Sequence, residues 1–222
     1  MIARGTDRLE LVGQFLELVL GFLLLPLVLC TMDSPPWMGG RVLVWIGTLF
    51  LLARLPVDVR TRLMQRLRPA ASLPGGWIGP MALFLLSMGV LSMVYQILGV
   101  WEPPQGLDMA GLPAVLLAGM LSTLFTVLPL ELLFRAYFPT RFHSLFGRRQ
   151  VWLALLSAFL FSWFHLPTLQ PMLLLSTFVL GGLLALMERA GWPFWGILCI
   201  HGLAAWSWMM APKLVLEVFP WV

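Results

Sequence analysis

Long apolar blocks recur along the chain at 11–31, 41–55, 77–99, 112–138, 151–166, 169–187 and 192–211, separated by short polar stretches. Each reaches or approaches the roughly 20 helical residues needed to cross a bilayer core. The two shortest, 41–55 and 151–166, must tilt little or borrow flanking residues. Hydrocarbon offers no partner to a bare amide or carbonyl, so such blocks are expected to be helices with internally satisfied backbones. The pattern predicts an all-α, multi-pass integral membrane helical bundle of about seven transmembrane helices, forming a single domain over residues 1–222. The connecting stretches "DSPPWMGG" and "EPPQGLDMAGLP" are rich in helix breakers. The first block follows two early arginines but has no small-residue cleavage site after a short core, so it is expected to remain as the first span.

Composition excludes an ordinary water-soluble globule. Hydrophobic residues make up 60% and charged residues 11% of the 222 positions, and mean hydropathy is +0.91, whereas soluble domains carry about 25% charge. The net charge of +4 resides in loops rather than on one face, which argues for membrane topology and against a nucleic-acid partner. With a cytoplasmic N-terminus and seven spans, Arg4, Arg8, Arg54, Arg60, Arg62, Arg66, Arg68, Arg141, Arg148, Arg149 and Arg189 fall on the inner side. Only Arg41 and Lys213 fall outside, an asymmetry that supports this orientation. The segment "VRTRLMQRLRPA" (59–70) reads either as a positive-inside loop or as a stretch lying along an anionic leaflet. Cys30 and Cys199 lie within apolar blocks, so no disulfide framework is expected.

Ionisable residues inside spans tend to face protein rather than lipid. In "PLELLFRAYF", Glu131 and Arg135 share one helix face at a spacing of four, and Pro129 loosens the helix just before them. The pair serves either as a neutralising strut or as part of a functional cavity. In "FLFSWFHLP", Phe161 and His165 share a face, and Pro167 is expected to end the helix. His201 in "CIHGLAAWSW" falls near mid-membrane, whereas His143 in a basic loop suggests no role. Glu17 reads as an interfacial acid near the inner surface. The span boundaries create a mismatch of depth: Glu131 falls in the inner half of its span and His165 near the outer end of the next. The two meet only if residues 139–152 re-enter the membrane or the fifth span begins deeper.

One acid, two histidines and an arginine on separate spans can activate a water and stabilise an oxyanion. Glu131, His165 and His201 are also a metal-ligand set with an open position, for a divalent ion such as zinc, although the chain has no HExxH helix. Otherwise no cofactor is expected. A coupled transporter is disfavoured by the lack of an inverted repeat and the few intramembrane charges.

The stretches "LELLFRAYF", "FSWFH" and "HGLAA", in that order, resemble the motifs EExxxR, FxxxH and HxxxN or HxxxD of the CPBP family, which contains CAAX prenyl proteases and bacteriocin self-immunity (Abi) proteins. The likeness covers roughly residues 115–208, within a core of approximately 112–211, and extends to "SAFLFSWFHL" and "GGLLALMERAGWPFWGILCIHGL". Two positions depart from the pattern: Leu130 stands where the family has its water-activating glutamate, and Ala205 stands where it has the oxyanion-binding amide. The resemblance implies intramembrane hydrolysis of prenylated or hydrophobic peptides. It assigns His165 to the water-activating site, Glu131 to the role of base or orienter, His201 to the oxyanion and Arg135 to a pair with Glu131. The alternative is an inactive scaffold that binds a hydrophobic peptide, a lipid or a partner membrane protein as an assembly or immunity factor. Losing a base or an oxyanion donor typically costs on the order of 10² or more in rate.

Overall fold

A proline inside a helix donates no amide bond and crowds the carbonyl four residues back. The computed structural model accommodates three of them in one way. Pro26, Pro129 and Pro139 each come two residues after a π-helical turn, at Leu18–Leu24, Thr123–Val127 and Leu132–Tyr137. The wider i→i+5 turn absorbs the missing donor without ending the helix. Helix α1 (Arg8–Glu17) thus continues through its π turn into α2 (Leu25–Cys30). The stretch from Gly119 to Phe146 is likewise unbroken: the second π turn leads into α5 (Leu128–Glu131), and the third joins α5 to α6 (Phe138–Phe146). The remaining helices are α3 (Pro36–Ala53), α4 (Val57–Leu67), α7 (Gln150–Trp163), α8 (Pro171–Arg189) and α9 (Phe194–Val218).

The structure describes residues 8–30, 36–67, 82, 86, 90, 117, 119–147, 149–166 and 171–218, and among them it is helices joined by short turns, with no strand. Two helices there are long and apolar enough to cross a membrane, Glu10–Val28 and Gly119–Phe146, while Val44–Ala53, Gln150–Trp163 and Phe194–Ser207 are shorter apolar helices. The expected block 77–99 falls almost wholly outside the described residues, as does Pro167. The chain divides into two compact units: Met1–Arg68 with Pro129–Phe194, and Pro69–Leu128 with Trp195–Val222.

In the first unit, aromatic rings lock the N-terminal helix to the α6–α7 hairpin. Phe22 meets the rings of Phe134, Phe138, Phe142 and Phe164 at centroid separations of 5.7, 5.3, 6.0 and 6.2 Å. Phe134, Phe138 and Phe142 recur every four residues, which puts them on one helix face, and edge-on ring contacts of this kind add to simple burial. The π turns contribute polar contacts as well. Trp163 donates its indole N–H to the carbonyl of Leu23 at 3.0 Å, a carbonyl within the first π turn. Further along, Glu17 accepts from the Tyr137 hydroxyl and from Arg141 Nε at 3.3 Å. Glu17 thus has two partners on one facing helix.

In the second unit, small residues allow close helix approach. A Cβ at Gly119 would meet Trp206 Cδ1 at 2.5 Å, and one at Gly202 would meet Thr123 Cγ2 at 3.0 Å. The Thr123 hydroxyl bonds the Gly119 carbonyl at 2.9 Å. We expect Gly119→Ala to destabilise the folded protein by about 1–3 kcal/mol through overpacking. Thermal unfolding in detergent measures this, and Trp206→Leu in the same background should recover most of the loss.

Candidate functional site

Arg135 lies inside the third π turn and is buried, as is Glu131 one turn earlier. Its guanidinium is held from two neighbouring helices. One terminal nitrogen donates to Ser157 Oγ of α7 at 3.2 Å, and the other to the Gly181 carbonyl of α8 at 2.7 Å. Ser157 in turn donates to the carbonyl of Phe134, within the π turn, at 3.1 Å. The Arg135 guanidinium carbon also sits 5.9 Å from the Phe161 ring centroid. The expected ion pair with Glu131 is present, but as a single approach of 3.7 Å between Arg135 Nε and Glu131 Oε2. That is longer than a hydrogen bond. Arg135 is a three-helix clamp first and a partner of Glu131 second.

His165 lies just beyond α7, in the turn that follows Trp163, rather than inside the helix. Its ring is 5.2 Å from that of Phe161, and its Nδ1 is 2.9 Å from the Phe161 carbonyl oxygen. A carbonyl only accepts, so Nδ1 must carry the hydrogen of that bond. In the neutral ring this leaves the lone pair on Nε2, the form that takes a proton.

The depth mismatch expected from the sequence does not arise. The fourth block does not end at 138: the helix continues through "FPTRFHSLF" to Phe146, and the chain reverses at Gly147, whose φ of 50° is accessible to glycine. Glu131 lies sixteen residues before that turn and His165 eighteen after it. At about 1.5 Å per residue both are roughly 24–27 Å from the reversal. Ring contacts of Phe134 with Phe161 at 5.6 Å and with Phe164 at 5.2 Å pin the two helical segments together at this level. Re-entry of residues 139–152 is unnecessary, because Pro139 is tolerated after its π turn.

Leu130 is buried in the first unit, 7% exposed. His201 is buried in α9 of the second unit, with Ala205 one turn further on. Among the described residues, no group of three His, Cys, Asp or Glu side chains is placed to hold a metal ion. Cys199 is a free, exposed thiol. The sequence reading missed Ser157 and the Gly181 carbonyl. A signal for Ser157 existed: residues 157, 161 and 165 follow one another at a spacing of four, so the serine shares the face of Phe161 and His165. Nothing in a sequence announces which backbone carbonyl a buried arginine will use.

Residues 112–207 match the family model described as type II CAAX prenyl endopeptidase Rce1-like. This is somewhat under half of the chain, and it coincides with the segment in which the CPBP motifs were read. That family is integral to membranes and relies on glutamate and histidine without a cofactor. No curated protein and no solved structure matches the chain.

Proposed function

We propose that this chain is a CAAX-type intramembrane peptidase-like protein that acts on prenylated or otherwise hydrophobic peptides, with its N-terminus on the cytoplasmic side. What supports the reading is that Phe134, one turn after Glu131, packs on Phe161 and Phe164, just before His165, whose Nδ1 is tied to the Phe161 carbonyl. In this reading a water bound between substrate and imidazole gives its proton to Nε2 while its oxygen bonds the scissile carbonyl carbon. The tetrahedral oxyanion then collapses, the C–N bond breaks, and the proton passes from the imidazolium to the leaving amine. Glu131 orients the water or the ring. Arg135 fixes the helix that bears Glu131. The resemblance gives His201 the oxyanion.

A second reading is favoured by Leu130 and Ala205, which replace a proton acceptor and an oxyanion donor by groups that can do neither. It is a non-cleaving relative that binds the same class of peptide. A farnesylated peptide incubated with the protein in vesicles decides between them. The peptidase reading expects release of the C-terminal fragment, reduced on the order of 10² or more by His165→Ala and by Glu131→Gln. Binding of the peptide with no fragment above the level of those variants would overturn it in favour of the binder. In that case Leu130→Glu with Ala205→Asn asks whether the fold can still be made to cleave.

A further inference from the structure

A helix end frays unless something outside the helix ties it down. His165 projects from such an end. Helix α7 stops at Trp163, and the chain then turns, with the Phe164 amide donating to the Leu160 carbonyl at 3.0 Å and the His165 amide to the Ser162 carbonyl at 2.9 Å. The reversal end of the hairpin does not supply the missing rigidity. It borders a polar cavity of about 590 Å³, where Arg62, Arg66 and Arg141 form ion pairs that stay partly open to solvent. Pairs of that kind stabilise little.

Three successive residues before the imidazole are anchored to three different elements. Ser162, buried, donates its hydroxyl to the Leu174 carbonyl of α8 at 2.6 Å. Trp163 donates its indole N–H to the Leu23 carbonyl of the first π turn at 3.0 Å, and its ring stacks on Phe159 at 5.8 Å. Phe164 packs on Phe134 of the third π turn. One turn before His165, Phe161 supplies the carbonyl that holds Nδ1 and a ring 5.2 Å from the imidazole.

These anchors are not equivalent. Apolar packing at Phe164 is non-directional. A serine hydroxyl on a helix can fall back on the carbonyl four residues earlier. An indole N–H is a lone donor on a rigid ring and has no such alternative. The bond from Trp163 to the first π turn is therefore the one that fixes where the end of α7 points, and single π turns recur at functional sites.

We propose that Trp163 is a positioning residue for His165. Its indole bond holds the turn at the end of α7. The held turn keeps the Phe161 carbonyl on Nδ1, so the neutral ring presents its lone pair on Nε2. The effect of Trp163 on cleavage rests on the peptidase reading; its effect on the tautomer does not.

The test compares the parent with Trp163→Phe, which keeps an aromatic body and removes the N–H. Trp152→Phe, at a tryptophan of the same helix that is 62% exposed, serves as control. With the farnesylated peptide in vesicles, Trp163→Phe should lower kcat about tenfold at unchanged KM, the factor that one neutral hydrogen bond supplies at the upper end of its range. Trp152→Phe should match the parent, and Ser162→Ala should give a smaller fall than Trp163→Phe. Nitrogen-15 NMR of histidine-labelled protein in detergent, at a pH where the ring is neutral, reads the tautomer without any substrate. The His165 signals are those lost in His165→Ala. The parent should show a protonated Nδ1 and a bare Nε2, and Trp163→Phe a mixture of both tautomers. A parental tautomer in Trp163→Phe, or an equal fall in kcat in Trp152→Phe, would overturn the proposal. So would a lowered melting temperature with kcat and tautomer unchanged, which would reduce Trp163 to a packing residue. A parent that cleaves nothing sinks the peptidase reading instead, and the tautomer then decides alone.

Discussion

Arg135→Met should lower the unfolding free energy in detergent by about 3–5 kcal/mol, the cost of breaking a buried charge cluster at one partner. The substitution removes the bonds to Ser157 Oγ and to the Gly181 carbonyl, which tie three helices together. It also leaves the Glu131 carboxylate, wholly buried, without its cationic neighbour. Arg135→Lys should rescue only part, because a single ammonium does not reproduce a planar fork reaching α7 and α8 at once. The double variant Glu131→Gln, Arg135→Met should be clearly more stable than Arg135→Met alone, since it no longer buries an uncompensated charge. Glu131→Gln alone should cost less than Arg135→Met, because Arg135 keeps its bonds to Ser157 and Gly181. Chemical unfolding of the four proteins completes the cycle. An Arg135→Met protein with the parent's midpoint would show that the clamp holds nothing together. The same series separates architecture from chemistry: Glu131→Gln should hurt cleavage far more than stability if Glu131 assists water activation.

Gly181→Val is the second large effect expected. A Cβ at this position would lie 3.0 Å from Phe161 Cδ1 and 3.2 Å from the Ala158 Cα, so α7 and α8 would have to part. Overpacking of this kind costs about 1–3 kcal/mol. Parting the helices also draws the Gly181 carbonyl away from Arg135, and a hydrogen bond to a charged group is worth about 1.5–3 kcal/mol. Together these predict a loss of about 3–5 kcal/mol. Gly182, its neighbour in sequence, has nothing within 4 Å of the corresponding Cβ. Gly182→Ala should therefore be neutral or slightly stabilising through its better helix propensity. Equal behaviour of the two glycines in thermal unfolding would refute the close-approach argument.

Both predictions rest on contacts that periodicity alone does not reveal. The i, i+4 spacing of Glu131 and Arg135 was enough to place them on one face, and their burial confirms that they avoid lipid. The same spacing left open whether the pair is a neutralising strut or part of a functional cavity. The arginine spends its terminal nitrogens on Ser157 and Gly181, residues 22 and 46 positions away in sequence. Pro129 was legible as a loosening of the helix, and the π turn Thr123–Val127 before it is the form that loosening takes. The end of the fourth block was misplaced because "FPTRFHSLF" has the polarity and the proline of a loop. Its helical state depends on partners elsewhere: Phe138 and Phe142 meet Phe22, and Arg141 reaches Glu10 and Glu17. His143, set aside as a loop residue, lines a cavity for the same reason.

What the sequence by itself determined is the class of the molecule and the motif-bearing residues. Apolar blocks of bilayer length demand helices, because hydrocarbon leaves no other way to satisfy a backbone. The spacing of Glu131, Arg135, Phe161, His165 and His201 located the segment that the family model matches. Only the tertiary structure decided that Phe134, next to Glu131 on its helix, packs on Phe161 and Phe164 beside His165, which neighbours hold Arg135, and that charged residues from three distant segments enclose a cavity. Depth depends on where a helix reverses, and Gly147 reverses this one only because the polar residues before it find partners on the first helix. A guanidinium's choice of carbonyl depends on which backbone comes within reach, and that is settled by glycines and π turns acting across helices rather than along one.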